Sequence, residues 1–207
     1  MKKFKKTGRM MKESVEAEPE RKKLISTPTI FAIIIIVIMV ASGIGYMWEG
    51  GNAIIYNEFK FNEAGDRIYT KIDGKRIDFS TLPENAEMIN ASKEAFWVIK
   101  NTKMVYMTSE PDSLFKKGIA SAEFELQKSL AQEGIYSVYA FTDANEFNIT
   151  QVTCRNATLN VPVIYFMNST ETRITYDDGC IIMSAESDFA FTALKDRLMY
   201  GFYGIIG

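Results

Sequence analysis

The sequence predicts one N-terminal transmembrane helix followed by a single α/β or α+β domain with a mixed sheet, a βαβ unit and a C-terminal helix. Three observations carry that expectation. Twenty-five uncharged residues separate Lys23 from Glu49, a strand–helix–strand order runs through residues 103–141, and an apolar helical period closes the chain. The expected organisation is a basic disordered cytoplasmic tail at 1–23, a transmembrane helix at 24–48 and an extracytoplasmic mixed α/β domain at 49–207.

The stretch TIFAIIIIVIMVASGIGYMW, residues 29–48, is long enough at about 1.5 Å per residue to cross most of a hydrocarbon core of about 30 Å. Apolar side chains pass all around it, and Ser42 can bond back to its own helix. Tyr46 and Trp48 fall at the depth of a membrane interface. The alternative is a cleaved signal with Ile30 to Val40 as its apolar core and Ala41, Ser42 and Gly43 as its cleavage site. The length of the uncharged stretch and the 23 residues ahead of it favour a permanent span. Ala41 and Gly45 form a small-xxx-small pair, a feature many spans carry without a partner helix.

Arg21, Lys22 and Lys23 abut one end of the span, whereas the first cation beyond it is Lys60. That asymmetry places the N-terminus in the cytoplasm and the body of the chain outside. Residues 1–23 carry a net charge of +5, which leaves −7 for the rest of a chain whose total is −2. The tail is polar and alternates charge blocks, so it has no core to build. Its lysines around Phe4 suit an anionic lipid surface or a simple retention signal. The acidic body carries no reader motif, so nucleic acid is not an expected partner.

The outer region is long enough for one domain with its own core. A meander of three antiparallel strands is expected from Ala53 to Thr81, with Ile55, Asn57, Phe59 and Phe61 on one face of the first strand. EAGD and Asp73-Gly74 supply its turns. Pro83 closes the unit, EMIN suits a short strand, and Ser92 stands ready to cap a helix through KEAFWVIKN. A hairpin of AFWVIK with KMVYMT is the competing reading. Next, Pro111 and Asp112 open a helix that Gly134 ends, with Phe115, Ile119, Ala122, Leu126 and Leu130 along one face. The strands flanking it should be parallel. FNITQVTC, VPVIYFM, TRITY and CIIMSA read as strands, the last two joined through Asp178-Gly179. Phe191, Leu194, Leu198 and Phe202 mark the final helix.

Candidate chemistry is sparse. The chain has no histidine, which removes the commonest general base and metal ligand. Ser113-Leu114-Phe115-Lys116 matches the S-x-x-K string of penicillin-binding proteins, but no S-D-N follows. The only K-T-G, Lys6-Thr7-Gly8, is in the tail, and a helix-start serine with an outward lysine explains the string. Asp143, Glu146, Glu171, Asp177, Asp178, Glu186 and Asp188 could hold calcium, yet they lack the EF-hand spacing and suit turns and a helix start. No catalytic residue, metal ligand or cofactor is assigned. Cys154 and Cys180 both fall in the outer domain, where one disulfide is the natural reading and two reduced buried thiols the alternative. Asn90, Asn148, Asn156 and Asn168 each begin an Asn-x-Ser/Thr sequon, a candidate glycosylation site on that side.

Two resemblances attach to these residues. The order strand, helix, strand, then NVPVIYF, a hairpin and a closing helix resembles the thioredoxin arrangement over residues 103–203, with Pro162 before what would be its central antiparallel strand. TSEPDS stands where the active CxxC would be, so no redox activity of that kind is implied. VTCRNATLNVPVIYF, CIIMSAES and ALKDRLMYGFYGII resemble small, uncharacterised single-pass membrane proteins of archaea, which implies an envelope setting and no ligand. The functional expectation is therefore a membrane-anchored binding or interaction module with an envelope protein as partner. An outer-face enzyme is one alternative; a structural subunit contacting its neighbours through MYGFYGIIG is the other.

Overall fold

A computed structural model describes residues 27–47 and 53–207 of the protein. The described residues fall into two units, 27–47 and 53–207. In the first, helix α1 (Thr27–Met47) runs 21 residues without a charged side chain. Side chains are described for its residues 28–40, all exposed, and these rise about 20 Å. Among the described residues no helix is long and apolar enough to cross a membrane. The tail expected at 1–23 and Trp48 lie outside the described residues, and the Ala41/Gly45 pair and Tyr46 lie outside those whose side chains are described.

The second unit is a mixed α/β domain with two sheets and a C-terminal helix. Its first sheet is a four-stranded antiparallel meander, β1 (Ile54–Tyr56), β2 (Phe59–Ala64), β3 (Arg67–Ile72) and β4 (Lys75–Phe79). The single first strand expected from periodicity is in fact a hairpin, because Asn57 and Glu58 turn the chain with φ of 43° and 71°. A two-residue turn switches the inward parity: Ile54 and Tyr56 face the core with Phe59 and Phe61, while Ile55 is 75 % exposed. Asn57 Nδ2 donates to the Ile205 carbonyl at 3.0 Å and fastens this turn to the C-terminal segment. Gly65 and Asp73-Gly74 make the other two turns with positive φ, as expected.

Where EMIN suggested a strand, Pro83 instead starts a short helix, α2 (Pro83–Glu87), and the strand that follows, β5, is only Asn90–Ala91. Helix α3 (Lys93–Lys100) forms as preferred over the hairpin, with Ser92 at its N-cap position but without the side-chain cap hydrogen bond expected of it. The strand–helix–strand unit is β6 (Met104–Ser109), α4 (Lys116–Gln132) and β7 (Tyr136–Phe141), with β6 and β7 parallel. Helix α4 starts after Phe115 rather than at Asp112, since residues 110–115 form a turn whose Ser113 N–H donates to the Glu110 carbonyl.

FNITQVTC does not form a strand. Asn145 Oδ1 accepts from the N–H groups of Phe147 and Ile149, and its Nδ2 donates to the Ile149 carbonyl, so a side chain takes the bonds a ladder would need. Only Gln151 bridges to Phe141, and Cys154–Asn156 close a 3₁₀ turn capped reciprocally by Thr153 and Asn156. The remaining elements are β8 (Val163–Asn168), β9 (Arg173–Asp177), β10 (Cys180–Ala185) and α5 (Asp188–Tyr203).

The second sheet has the order β5-β9-β10-β8-β6-β7, with β9 alone antiparallel to its neighbour β10. Strand β8 runs parallel to both β6 and β10. The antiparallel central strand after Pro162 that the thioredoxin arrangement requires is therefore not formed. One face of this sheet, with Met107, Ile164, Phe166, Ile181 and Met183, joins α4 and α5 in the main core. The other holds a small cluster of Ala140, Val152, Val163 and Cys180.

Helix α5 is buried nearly all round. Phe191, Leu194, Leu198 and Phe202 point into the core as expected, and so do Tyr200, Ile205 and Ile206, so MYGFYGIIG is core rather than an exposed patch. Tyr200 stacks on Phe79 at 4.0 Å and meets Phe61 edge-on at 6.0 Å, which docks the meander onto the helix. Gly118 lets α4 approach the start of α5: a Cβ there would lie 2.5 Å from the Asp188 backbone.

The left-handed Glu58 yields a direct test of the hairpin. Glu58→Gly removes a conformational penalty at a turn position and is expected to stabilise the domain by about 0.5–1 kcal/mol, measured by denaturant unfolding. A loss of stability would mean that residues 54–64 run as one strand.

Candidate functional site

Strands β7, β6 and β8 are parallel neighbours and end side by side at Phe141, Ser109 and Asn168. The chain leaves β6 for β7 on one side, while β8 lies on the other. In open α/β sheets this reversal leaves a crevice beyond the strand ends, where ligands bind. Here a cleft of about 450 Å³ is lined by Glu110 from the end of β6, Thr142 and Asp143 from the end of β7, Tyr165 from β8, and Thr153, Cys154 and Arg155.

The groups in the cleft are mutually arranged. Tyr165 donates its hydroxyl to Glu110 Oε1 at 3.1 Å, and Thr142 donates to Asp143 Oδ2 at 2.7 Å. Burial pushes the Tyr165 phenol up to about 12, with the Glu110 and Asp143 carboxylates adding to it. The phenol is thus a neutral donor at physiological pH. Two carboxylates, a phenol, two threonine hydroxyls and the Arg155 guanidinium suit recognition of a polar ligand through hydrogen bonds and charge. The constellation holds no nucleophile paired with a base.

Two ties fix the cleft's far wall, the segment after β7, to the sheet. Buried Thr108 donates its hydroxyl to the Val152 carbonyl at 2.8 Å, and Cys154 forms a disulfide with Cys180. The two cysteines stand at disulfide distance as the sequence suggested, and the pair joins a loop to β10 rather than strand to strand.

Other candidates are scattered. Ser113 is buried and donates to Asn168 Oδ1 at 2.8 Å, whereas Lys116 is exposed on the first turn of α4, so the pair is not a nucleophile with its base. The carboxylates do not gather. Asp143 lies in the cleft, Glu171 pairs with Arg173, Asp188 Oδ1 accepts from the Gly118 N–H, and Glu146, Asp177, Asp178 and Glu186 are exposed. Among the described residues no group of three or more such side chains is placed to hold a metal ion. Asn90, Asn148 and Asn156 are exposed and Asn168 is half-buried.

Sequence reasoning missed a buried charge network. Lys195 Nζ lies 3.1 Å from Glu125 Oε2 and also bonds Asp196 Oδ1, Arg67 bonds Glu125 Oε1, and Asp196 Oδ2 accepts from the N–H groups of Ser80 and Thr81 at 2.8 and 2.7 Å. Burial pushes the Asp196 carboxyl up against the pull of Lys195 and the two N–H donors. Burial also works to raise Glu125, but Lys195 and Arg67 hold it below its ordinary value. Two cations and two anions cancel, and the adjoining cavity of about 30 Å³ has room for little more than a water. This network is structural. No sequence signal marked it, because Lys195, Asp196 and Arg197 interrupt an apolar helix as surface residues would.

Glu123 on α4 is a separate case. Burial pushes its carboxyl up to about 8, and one of its oxygens is buried without a hydrogen-bond partner. The folded chain therefore holds a proton that the unfolded chain, near the ordinary value of 4.5, has released. Stability contributed by this group falls as pH rises from about 4.5 to about 8. Glu123→Gln is expected to match the parent at pH near 5 and to exceed it by roughly 1–3 kcal/mol at pH near 9. A constant difference between the two across that range would count against the buried proton.

Replacing Cys154 and Cys180 together by serine should cost about 3–4 kcal/mol in the loop-entropy model for the observed separation of 26 residues. Hydrogen exchange should then quicken first in residues 150–157, the cleft wall; uniform quickening would place the bond's effect elsewhere. No family model matches this chain, and neither does any curated protein or solved structure, so the chemistry of the cleft rests on its own geometry.

Proposed function

We propose that the protein is a membrane-anchored, extracytoplasmic binding module whose ligand or partner segment enters the cleft at the ends of β6, β7 and β8. The observation that carries this reading lies in the sequence, where 25 uncharged residues separate Lys23 from Glu49 and follow Arg21, Lys22 and Lys23. At about 1.5 Å per residue, a helix over that whole stretch would exceed the roughly 30 Å of a hydrocarbon core. The basic flank favours a cytoplasmic N-terminus. The disulfide supports an oxidising compartment for the rest of the chain.

Binding is favoured over catalysis by the makeup of the cleft, where carboxylates, hydroxyls and a guanidinium converge without an activated nucleophile. An envelope protein is the partner that suits a domain held beside the membrane.

The test separates location from binding. Leu159 is 64 % exposed, and Leu159→Cys in the full chain gives a surface thiol for a membrane-impermeant maleimide. Labelling of intact cells is expected; labelling only after permeabilisation would reverse the orientation. In-cell crosslinking should then capture a membrane partner that survives exchange of α1 for an unrelated span. Glu110→Gln combined with Asp143→Asn should reduce that capture at least tenfold, and an undiminished yield would remove the cleft from the function.

A further inference from the structure

Four sequons share the outer domain, and the fold divides them into two kinds. Asn90 pairs with Arg173 in the β5–β9 ladder, and Asn168 pairs with Ala185 in the β8–β10 ladder. Asn168 also accepts the Ser113 hydroxyl on its Oδ1 and is half-buried. Asn148 and Asn156 lie in no ladder. Both are exposed on the segment that crosses the second face of the sheet between β7 and β8. An acceptor asparagine has to enter a transferase site together with the hydroxyl two residues on, which irregular exposed backbone permits and a paired strand resists.

We propose that Asn148 and Asn156 carry N-linked glycans and that Asn90 and Asn168 do not. The proposal rests on the outward orientation proposed above. The co-reactant is an oligosaccharide linked through its anomeric carbon to a polyprenyl phosphate or pyrophosphate, delivered by a membrane oligosaccharyltransferase. The side-chain Nδ2 attacks the anomeric carbon, the new bond joins nitrogen to carbon, and the sugar–oxygen bond breaks with its electron pair leaving on the phosphate. Nδ2 gives up one proton to a base in the transferase. No oxidant or reductant is involved.

The local structure accommodates the product. Asn156 uses its Oδ1 to accept from the Thr153 N–H at 2.9 Å and from the Thr153 hydroxyl at 3.2 Å. Glycosylation substitutes Nδ2 and leaves Oδ1 in place, so the cap on Cys154–Asn156 survives. Asn148 has φ of 52°, a conformation asparagine adopts more readily than most residues, and its side chain is exposed. The two glycans would stand on the side of the sheet whose cluster is small, over a surface where Tyr106, Tyr165 and Ile182 are only partly buried. Asn156 adjoins Arg155, which lines the cleft.

The experiment is peptide mass spectrometry on the full chain purified from its native membranes, with the intact mass read alongside. Sugar mass is expected on the peptides bearing Asn148 and Asn156, and an intact mass above 23.5 kDa. Asn156→Gln and Thr150→Ala should each remove one glycan step, the second without altering an asparagine. Asn168→Gln should remove none. An intact mass equal to that of the bare chain, or sugar on Asn90 or Asn168, overturns the proposal. Labelling of Leu159→Cys distinguishes the causes: an outward-facing domain without sugar refutes glycosylation alone, whereas an inward-facing one refutes the orientation as well.

Discussion

Burial of α5 on nearly every side is the constraint around which the domain is built. Successive helical residues point about 100° apart. Lys195, Asp196 and Arg197 at 2, 0 and 4 % exposure therefore require cover around much of the helix, in addition to the sheet against Phe191, Leu194 and Leu198. A charge at such depth is tolerated only when paired and hydrogen-bonded. The fold gives Lys195 and Asp196 charged or N–H partners and Arg197 two carbonyls, while Arg197 Nη1 is buried without a hydrogen-bond partner. The meander and the turn after it supply Arg67 and the N–H groups of Ser80 and Thr81, α4 supplies Glu125, and the Ile89 carbonyl accepts from Arg197 Nε at 3.2 Å.

The meander is thus part of the domain's electrostatics as well as its packing. Tyr200 shows both roles in one side chain. Its ring stacks on Phe79, and its hydroxyl donates to the Thr81 carbonyl at 2.7 Å. Burial pushes this phenol upward, so it stays a donor across the physiological range. Without the meander and the turn after it, α5 would expose an aromatic face, Asp196 would lose the Ser80 and Thr81 N–H donors, and Glu125 would lose Arg67.

What could be read in the sequence follows from which interactions are local. The βαβ unit and α5 were legible because a helix packing on a sheet writes its contacts every three or four residues, as Ile119, Leu126, Phe191 and Leu198 do. The hairpin at Asn57-Glu58 was hidden because its turn lacks glycine and Ile54, Ile55 and Tyr56 are all apolar, so either inward parity could be read before the turn. FNITQVTC has strand composition, and only the spatial reach of Asn145 to residues 147 and 149 decides against it. Pro162 marked the start of β8 but not its direction, which depends on pairing with β6 and β10. The cleft was illegible for the same reason. Glu110, Asp143, Arg155 and Tyr165 are scattered through the sequence and meet only through sheet order.

The contrast between the cleft and the buried network shows why accessibility, rather than charge density, identifies the site. Around Lys195 the charges are matched within the fold, sit beside a cavity of about 30 Å³ and bond backbone groups whose loss would unfold the region. A ligand would have to displace partners the fold depends on. In the cleft, Asp143 and Arg155 are exposed and Tyr165 is half-buried, so their remaining hydrogen-bonding capacity faces solvent. Their positions are nonetheless held, by strand ends on one side and by the Cys154–Cys180 bond with the Thr108–Val152 hydrogen bond on the other. Polar groups held in place yet hydrated can exchange water for a ligand with little reordering, which lowers the entropic cost of binding. In the proposed binding role, the disulfide keeps one wall of an otherwise open cleft in register with the sheet.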